Sequence, residues 1–281
     1  MKKLQISLEN IQVMTEKFSD QKCIGKGRNW KQYEGELLHA NGCITAIAKR
    51  FDSKSDKQQH FLKELEILCE YKHKNIIGVV GYCLDDDEKI IVYKHALNGR
   101  LSKHLGNTSF TWMKRLKIGI DVAYGLNFLH TGDESRKIPI RNTNINSTSI
   151  LLDDNWIPKI SNLELSKKSL KQKEIEHVTD KSDIYSLGVV LVEMLCGRLS
   201  WVEGHEDHSH SLAEQWIKEG KLGELVFEGI KEQINPKSLA IFKDIVVRCL
   251  KDDTCERPNA YEVAIQLKKA RQFQVRFLTI I

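Results

Sequence analysis

The chain has 281 residues, which is enough for one domain with a sizeable hydrophobic core. Its 43 lysines and arginines against 38 aspartates and glutamates leave a formal net charge of only +5, and the basic residues are spread along the chain, so no nucleic-acid partner is expected. The longest apolar block, residues 184–196, contains Ser186 and Glu193 and is too short to cross a bilayer, so no membrane span is expected.

The cysteines are irregularly spaced and form no C-x-x-C pair, a pattern typical of reduced, mostly buried thiols in a cytosolic protein. No apolar run follows the first residues, Met-Lys-Lys-Leu-Gln, and position 2 is not glycine. Neither a secretory signal nor myristoylation is therefore expected, and we expect a cytoplasmic protein. The seven cysteines are Cys23, Cys43, Cys69, Cys83, Cys196, Cys249 and Cys255.

Two short segments open the chain. Residues 7–18 have helical apolar spacing, with Ser7 as the N-cap and with Ile6 and Ile11 able to pack across it. A glycine-containing turn follows within residues 24–35. Two glycines near a turn are by themselves more often a simple hairpin than a ligand loop.

The next part of the chain predicts strands around one helix. Residues 45–50 alternate as a strand does, and the helix that follows has Phe61, Leu65 and Leu68 on one face. The acidic run at 85–88 lacks the alternating ligands and distal glutamate of a calcium loop. We interpret this run as a solvated hairpin tip.

The second half of the chain is predicted to be mostly helical. Residues 112–130 form a strong amphipathic pattern, and further helices are expected at 212–218, 236–250 and 260–274. The loop at 201–211 contains three histidines, but their order does not suit a helical zinc site and no cysteine is near. A solvated loop is favoured over a metal site. The histidines are His205, His208 and His210.

The stretch from 139 to 167 points to a family. Its apolar frame, I-L-L-D at 150–153 and K-I at 159–160, resembles the catalytic centre of plant receptor-type protein kinases, where H-R-D-x-K-x-x-N-I-L-L-D is followed by K-I-S-D-F-G-L-S-K. The phrases W-x-x-R-L-x-I, L-N-F-L-H, K-S-D-I-Y-S-L-G and E-R-P fall in order at fitting distances. The chain therefore resembles the plant receptor-like cytoplasmic kinases over about residues 6–273.

The resemblance implies an α+β, two-lobed protein kinase-like fold in one domain, 1–281. The N-lobe, at about 1–95, would be small and β-rich with one long helix. The C-lobe, at about 96–281, would be larger and α-helical.

The chemistry departs from the family at its acidic positions. An ungapped count back from Ile150 places Asn144 where the family has its catalytic aspartate, and Asn162 stands at the magnesium-binding aspartate of D-F-G. Phosphoryl transfer needs one carboxylate to accept the substrate proton and another to hold the metal, and both are neutral amides here. We therefore expect a pseudokinase with no catalytic residue and no metal site. The other degenerate positions are Asn146, at the loop lysine, and Ser149, at the metal-binding asparagine.

The same resemblance gives the chain a vestigial nucleotide site. Lys49 and Glu64 match the phosphate-pairing lysine of V-A-I-K and its helix partner, although an ordinary partly buried ion pair is the favoured interpretation.

Trp30 replaces the third glycine of the glycine-rich turn and should hold that turn open or fill the space beneath it. Ile47 replaces the small alanine on which adenine stacks, and its larger side chain should fill much of the space that the adenine would take. We expect ATP binding to be weak or absent, and no cofactor. The vestigial residues are Ile24, Gly25, Gly27, Gln32, Ile47, Lys49, Glu64, Tyr93 and Leu151.

The segment that carries the regulatory phosphosite in the family is short here. Only residues 165–180 separate the D-F-G position from the next helix, about half of the family's length, and neither an A-P-E anchor nor a phosphosite has a match. Arg257 resembles the arginine that pairs with the anchor's glutamate. It has either lost this partner or is an ordinary surface arginine.

These inferences predict a catalytically inactive kinase-like protein that acts as a scaffold, decoy or allosteric partner in plant receptor kinase or immune signalling. The resemblance implies protein partners, either an active receptor-like kinase or an intracellular immune receptor, and plasma-membrane association only through a partner. The alternatives are a weakly active Ser/Thr protein kinase, a sensor that binds ATP without hydrolysing it, and a truncated, pseudogene-like product.

Overall fold

The computed structural model describes most of the chain at the level of individual residues. The described residues are 4–27, 29–39, 42–52, 58–85, 87–131, 138–141, 143, 145–168, 180–200 and 221–278.

The chain divides into two compact units. The first unit consists of Met1–Leu97 together with Asn162–Leu165, and the second consists of Asn98–Ser161 and Ser166–Ile281. The sequence placed the corresponding boundary near residue 95. The short piece at 162–165, which the sequence assigned to the larger lobe, belongs to the first unit.

The first unit is built on a five-stranded antiparallel sheet with the order β1-β2-β3-β5-β4. The central strand β3 pairs with β2 on one side and β5 on the other, and its residues Ala46, Ile47, Ala48 and Lys49 are buried. The strands are β1 (Cys23–Lys26), β2 (Trp30–His39), β3 (Gly42–Phe51), β4 (Val79–Asp85) and β5 (Glu88–Lys94).

The two faces of β3 have different roles because successive side chains of a strand point to opposite faces. Ala46 and Ala48 belong to a hydrophobic cluster that also contains Ile11. Ile47 and Lys49 therefore project from the opposite face of the sheet. Alternation along the strand thus places Ile47 and Lys49 on the face opposite Ala46 and Ala48.

The predicted first helix is confirmed but is shorter than expected. Helix α1 is Leu8–Met14, and the Ser7 side chain accepts a hydrogen bond from the Asn10 amide at 3.3 Å, as the cap prediction requires. The helix ends early because Glu16–Phe18 have positive φ angles of 49° to 60°, a left-handed run that helical hydrogen bonding does not continue.

Helix α2 (Gln58–Glu70) packs its apolar face within the first unit. Phe61, Leu65 and Leu68 are buried on this face, as their spacing predicted. Glu64 follows the same spacing and is fully buried too. A carboxylate on an apolar stripe needs a charged or hydrogen-bonding partner, and this places Glu64 in the candidate site.

The second unit is mainly helical. Trp112, Arg115 and Leu116 are buried at the start of its longest described helix, where the Arg115 guanidinium donates to the backbone oxygens of Phe110 and Leu105. This helix confirms the amphipathic helix predicted at 112–130. The helices among its described residues are α3 (Trp112–Thr131), α4 (Asp180–Cys196), α5 (Glu228–Lys231), α6 (Pro236–Cys249) and α7 (Ala260–Leu278).

Short strands in the second unit hold the segment from which the family was inferred. Strands β6 (Gly99–Arg100), β8 (Ile150–Leu152) and β9 (Pro158–Ile160) form one antiparallel sheet, and β7 (Ile140–Arg141) pairs with β10 (Lys167–Lys168). The apolar frame around residue 150 is therefore the central strand of a small sheet.

Some predicted features lie outside the described residues, namely the helix at 212–218, the histidine loop at 201–211, Asn144 and most of the segment at 165–180. All seven cysteines are free thiols. Within the described part of the chain, no three His, Cys, Asp or Glu side chains are placed to share a metal ion. No described helix has both the length and the apolar character needed to cross a membrane.

Candidate functional site

Lys49 and Glu64 form a fully buried ion pair at the centre of the first unit. The Lys49 Nζ donates to Glu64 Oε2 at 2.8 Å, and neither side chain is exposed. Strand β3 projects the lysine from the face opposite Ala48, and helix α2 supplies the glutamate from its apolar face. The two residues pair as the family pattern predicts, but the pair is fully buried, not partly buried as the sequence interpretation had it.

A second carboxylate reaches the same lysine. Glu164 lies in a 3-10 turn, Leu163–Leu165, and its Oε2 accepts from Lys49 Nζ at 3.0 Å. The side chain of Asn162 reaches the lysine as well, since its Oδ1 accepts from Nζ at 3.3 Å. The ammonium thus has three oxygen acceptors, which is the number of its N–H donors.

The backbone at Asn162 helps to set this arrangement. Its φ angle of 59° lies in the left-handed region, which asparagine tolerates better than most residues. The buried Leu163 side chain anchors the turn that follows. The family pattern places Asn162 at the lost metal-ligand position, and Glu164 stands where D-F-G has its glycine. Their contacts with Lys49 were missed, and the only signal was an unexplained acidic residue two positions after Asn162.

Trp30 closes the site from the glycine-rich turn. Its indole Nε1 donates to Glu164 Oε1 at 3.2 Å, and Lys49 Nζ lies 4.8 Å from the indole centroid. A Cβ added at Gly27 would come within 2.5–2.8 Å of three atoms of this ring, so the indole lies directly against the glycine backbone. Of the two expectations for Trp30, the second applies, since the side chain fills the space beside the turn.

Burial and the charges of the site shift the pKa values of Glu64, Glu164 and Tyr93 from their ordinary values. Burial raises the pKa of Glu64 above its ordinary value of 4.5, and this effect outweighs the lowering effect of Lys49. Burial acts in the same direction on Glu164, but Lys49 and the indole hydrogen bond together bring the pKa of Glu164 below 4.5. Burial, with Glu64 second, raises the pKa of the Tyr93 phenol well above its usual value. Because the pKa of Glu164 is lowered and that of Glu64 is raised, Glu164 stays ionised to a lower pH than Glu64 does as a partner of Lys49.

The other vestigial residues of the first unit lie on neighbouring strands. Gln32 is the register partner of both Lys49 on β3 and Gly25 on β1, which links the glycine turn to the lysine. Ile47 is paired with Tyr93 and is 7% exposed. Ile24 is 39% exposed. Gly25, Gln32 and Ile47 are thus within two strands of Lys49.

In the second unit the loop after β7 is organised by its own amides and hydroxyls. Asn146 Oδ1 accepts from the backbone amides of Thr148 and Ser149, at 3.0 and 2.9 Å, and Ser149 Oγ bonds back to the Asn146 main chain. Both side chains are therefore turn-forming groups. Leu151, the remaining vestigial residue, lies on β8 of this unit.

A buried acidic group supports the same loop from helix α4. Asp183 accepts from the Thr143 backbone amide at 2.8 Å and lies 2.8 Å from His130 Nε2. Thr143 occupies the position of the arginine in H-R-D. Hydrogen bonds to α4 therefore still hold the loop, although the residues at the H-R-D positions differ from those of the family.

Arg257 has a role that neither sequence interpretation gave it. Its guanidinium donates to the carbonyl oxygens of Lys181 and Lys251, at 3.0 and 2.7 Å, and lies 4.9 Å from the Tyr185 ring centroid. Lys181 Nζ in turn donates to the Arg257 carbonyl. Among the described residues, backbone carbonyls receive this arginine.

Comparison with known families agrees with this architecture. A profile described as protein tyrosine and serine/threonine kinase matches residues 18–179, more than half of the chain. The chain belongs to the protein kinase family. The resemblance to protein kinases found in the sequence is thereby confirmed, as is the expected α+β kinase fold.

The family relatives of this kinase-fold chain are plant receptor-like protein kinases. It is 33% identical to the receptor-like protein kinase HERK 1 of Arabidopsis thaliana over 287 residues, which cover 92% of this chain and 34% of that protein. It is 32% identical to ANXUR2, over 96% of this chain and 34% of that protein, and 33% identical to FERONIA, over 95% and 32%, both from Arabidopsis thaliana. The chain spans about a third of the length of these curated relatives.

Proposed function

We propose that this kinase-family chain is a pseudokinase that acts by binding protein partners as a scaffold, decoy or allosteric partner. The observation that supports it most is the environment of Asn162. This residue stands at the position of the magnesium-binding aspartate, is a neutral amide, and uses its Oδ1 to accept a hydrogen bond from Lys49. An oxygen engaged by an ammonium group is a poor site for a divalent cation.

The second support is the loss of the proton acceptor. Phosphoryl transfer depends on positioning and on charge compensation at the phosphates, with a carboxylate to orient and deprotonate the hydroxyl. Asn144 has no basic oxygen of this kind. Asn146 and Ser149, at the loop lysine and the second metal position, hydrogen-bond within their own turn. Several elements of the mechanism are therefore absent together.

The partner class follows from the family. The relatives are named receptor-like protein kinases, and we propose that the partner is an active receptor-like kinase or an intracellular immune receptor. The protein would work in the cytoplasm and reach the plasma membrane through that partner. We propose that it carries no cofactor.

A nucleotide sensor is the second candidate, because the Lys49–Glu64 pair is intact at 2.8 Å. Active kinases require this pair. In that case ATP would bind without being hydrolysed. The occupation of Lys49 by Glu164 and Asn162 favours the first candidate.

The decisive experiment measures phosphoryl transfer. The purified chain is incubated with labelled ATP, magnesium or manganese and a generic protein substrate, alongside the kinase domain of HERK 1 as a positive control. We expect no time-dependent label. Label that accumulates with the wild type but is absent with a folded Lys49→Met variant would show that the chain is an active kinase.

Affinity capture from plant cells with mass spectrometry then identifies the partner, with receptor-like kinases and immune receptors expected among the captured proteins.

A further inference from the structure

We propose that Trp30 and Glu164 together are a built-in occupant of the phosphate subsite and that these two side chains keep a polyphosphate away from Lys49. This inference goes beyond the proposed function, because a kinase fold can lose phosphoryl transfer and still leave its phosphate subsite open. Trp30 and Glu164 close the subsite, and each has its own chemical role.

Glu164 takes the role of the phosphate anion. In active kinases the strand lysine pairs with the α- and β-phosphates as well as with the helix glutamate. Here Lys49 Nζ has the helix partner Glu64 at 2.8 Å and a carboxylate oxygen of Glu164 at 3.0 Å. Asn162 accepts the third hydrogen bond. No N–H of the ammonium is left for a ligand.

Trp30 takes the space in which phosphates would meet the glycine turn. Glycines at such a turn allow the backbone to approach a ligand closely. At Gly27 that close approach is made by the indole, whose atoms lie 2.5–2.8 Å from the place of an added Cβ. The N–H of the same ring bonds to Glu164, so the two side chains support each other.

The charge balance acts in the same direction. Lys49 carries one positive charge and Glu64 and Glu164 carry one negative charge each, so the ionised cluster has a surplus negative charge. A polyphosphate entering this cluster would meet a buried carboxylate that no further cation of the cluster offsets. Replacing Glu164 by an uncharged residue would leave the neutral lysine–glutamate pair that active kinases present to phosphates.

The test uses inorganic tripolyphosphate, which reports on the phosphate subsite without requiring room for adenine. The Trp30→Gly/Glu164→Gly variant restores the two glycines of the family pattern and retains the buried Lys49–Glu64 pair. Binding is measured by calorimetry in magnesium-free buffer. We expect no detectable binding to the wild type, and at least a tenfold gain in affinity in the double variant that is lost when Lys49→Gln is added.

A matched control removes the same residue types elsewhere. The Trp156→Gly/Glu232→Gly variant changes two residues of the second unit, and Trp156 has a φ angle of 59°, which glycine tolerates. This control should bind tripolyphosphate no better than the wild type. Equal binding by the wild type and the Trp30/Glu164 variant, or no gain in a folded variant, would overturn the proposal. A gain that persists with Lys49→Gln would also overturn it.

A second measurement covers the case in which the double variant does not fold. Acetylation of lysines by a small amine-reactive ester is followed by mass spectrometry in the wild type, Trp30→Phe and Glu164→Gln. Lys49 should be protected in the wild type and react at least five times faster in Glu164→Gln, relative to the exposed Lys31. Unchanged protection of Lys49 would contradict the role of Glu164. Because these readouts are binding and labelling, their failure is separate from a failure of the transfer assay that tests the proposed function.

Discussion

The Glu164 carboxylate lies 3.0 Å from the Lys49 ammonium, although the two residues are 115 positions apart in the chain. Lys49 therefore has two carboxylate partners, and only Glu64 is expected from the family pattern. This second ion pair determines how the site should respond to substitution and to pH.

The titration of the two carboxyls should differ in direction. We expect Glu164 to titrate below 4.5, since Lys49 and Trp30 favour its charged form, and Glu64 to titrate above 4.5, since its burial dominates. Carbon-13 NMR of labelled glutamates, assigned with Glu164→Gln, measures both pKa values. Trp30→Phe should raise the pKa of Glu164 because it removes a hydrogen bond to the carboxylate. A Glu164 pKa above 4.5 in the wild type would contradict this account.

The two groups have opposite effects on stability as the pH changes. Because its folded pKa is depressed, Glu164 contributes stability that is present above 4.5 and is lost as the pH falls through the folded pKa. Because its folded pKa is raised, Glu64 contributes stability that is present below 4.5 and is lost as the pH rises through that folded value. Urea unfolding at a series of pH values measures the sum.

Removing the lysine should be strongly destabilising. Lys49→Met leaves Glu64 and Glu164 buried together without a cation, and breaking a buried pair in this way costs about 3–5 kcal/mol. Adding Glu164→Gln should recover part of that loss, so the two changes should be non-additive in a double-mutant cycle. Chemical denaturation measures the four free energies. Strict additivity would mean that Lys49 and Glu164 do not interact.

The indole hydrogen bond can be separated from the ring. Trp30→Phe keeps an aromatic side chain against Gly27 but loses the N–H donor to Glu164. Hydrogen bonds to charged groups contribute about 1.5–3 kcal/mol, and we expect a loss at the lower end because Trp30 is only partly buried. Trp30→Ala should lose more. If Trp30→Phe and the wild type have the same unfolding free energy, the indole N–H is not a useful partner for Glu164.

Ile47 should be part of the packing of the first unit. It is 7% exposed, and truncation of such a side chain to alanine costs about 2–5 kcal/mol through the cavity that remains. Ile47→Val, which removes one methyl group, is the matched control and should cost about 0.5–1.5 kcal/mol. Thermal melts with and without magnesium-ATP complete the test, and we expect the wild type to show no clear shift. A clear rise in Tm with ATP would favour the nucleotide sensor.

Much of the fold could be predicted because it depends on local patterns. The cap at Ser7, helix α3 and the buried helix α4 follow from apolar spacing and capping chemistry, and all are present. The early end of α1 was not predicted, since the left-handed residues Glu16–Phe18 carry no glycine that would have signalled them.

The sequence by itself determined which chemical groups the site has. It assigned amides to two acidic positions of the family, and it identified Lys49, Glu64 and the unusual Trp30 from their order along the chain. Only the tertiary structure decided that Trp30 and Glu164, 134 residues apart, meet beside Lys49. The physical reason is that an ion pair forms wherever folding brings opposite charges within a few ångströms in a buried place, and no local periodicity records which distant turn will supply the second charge.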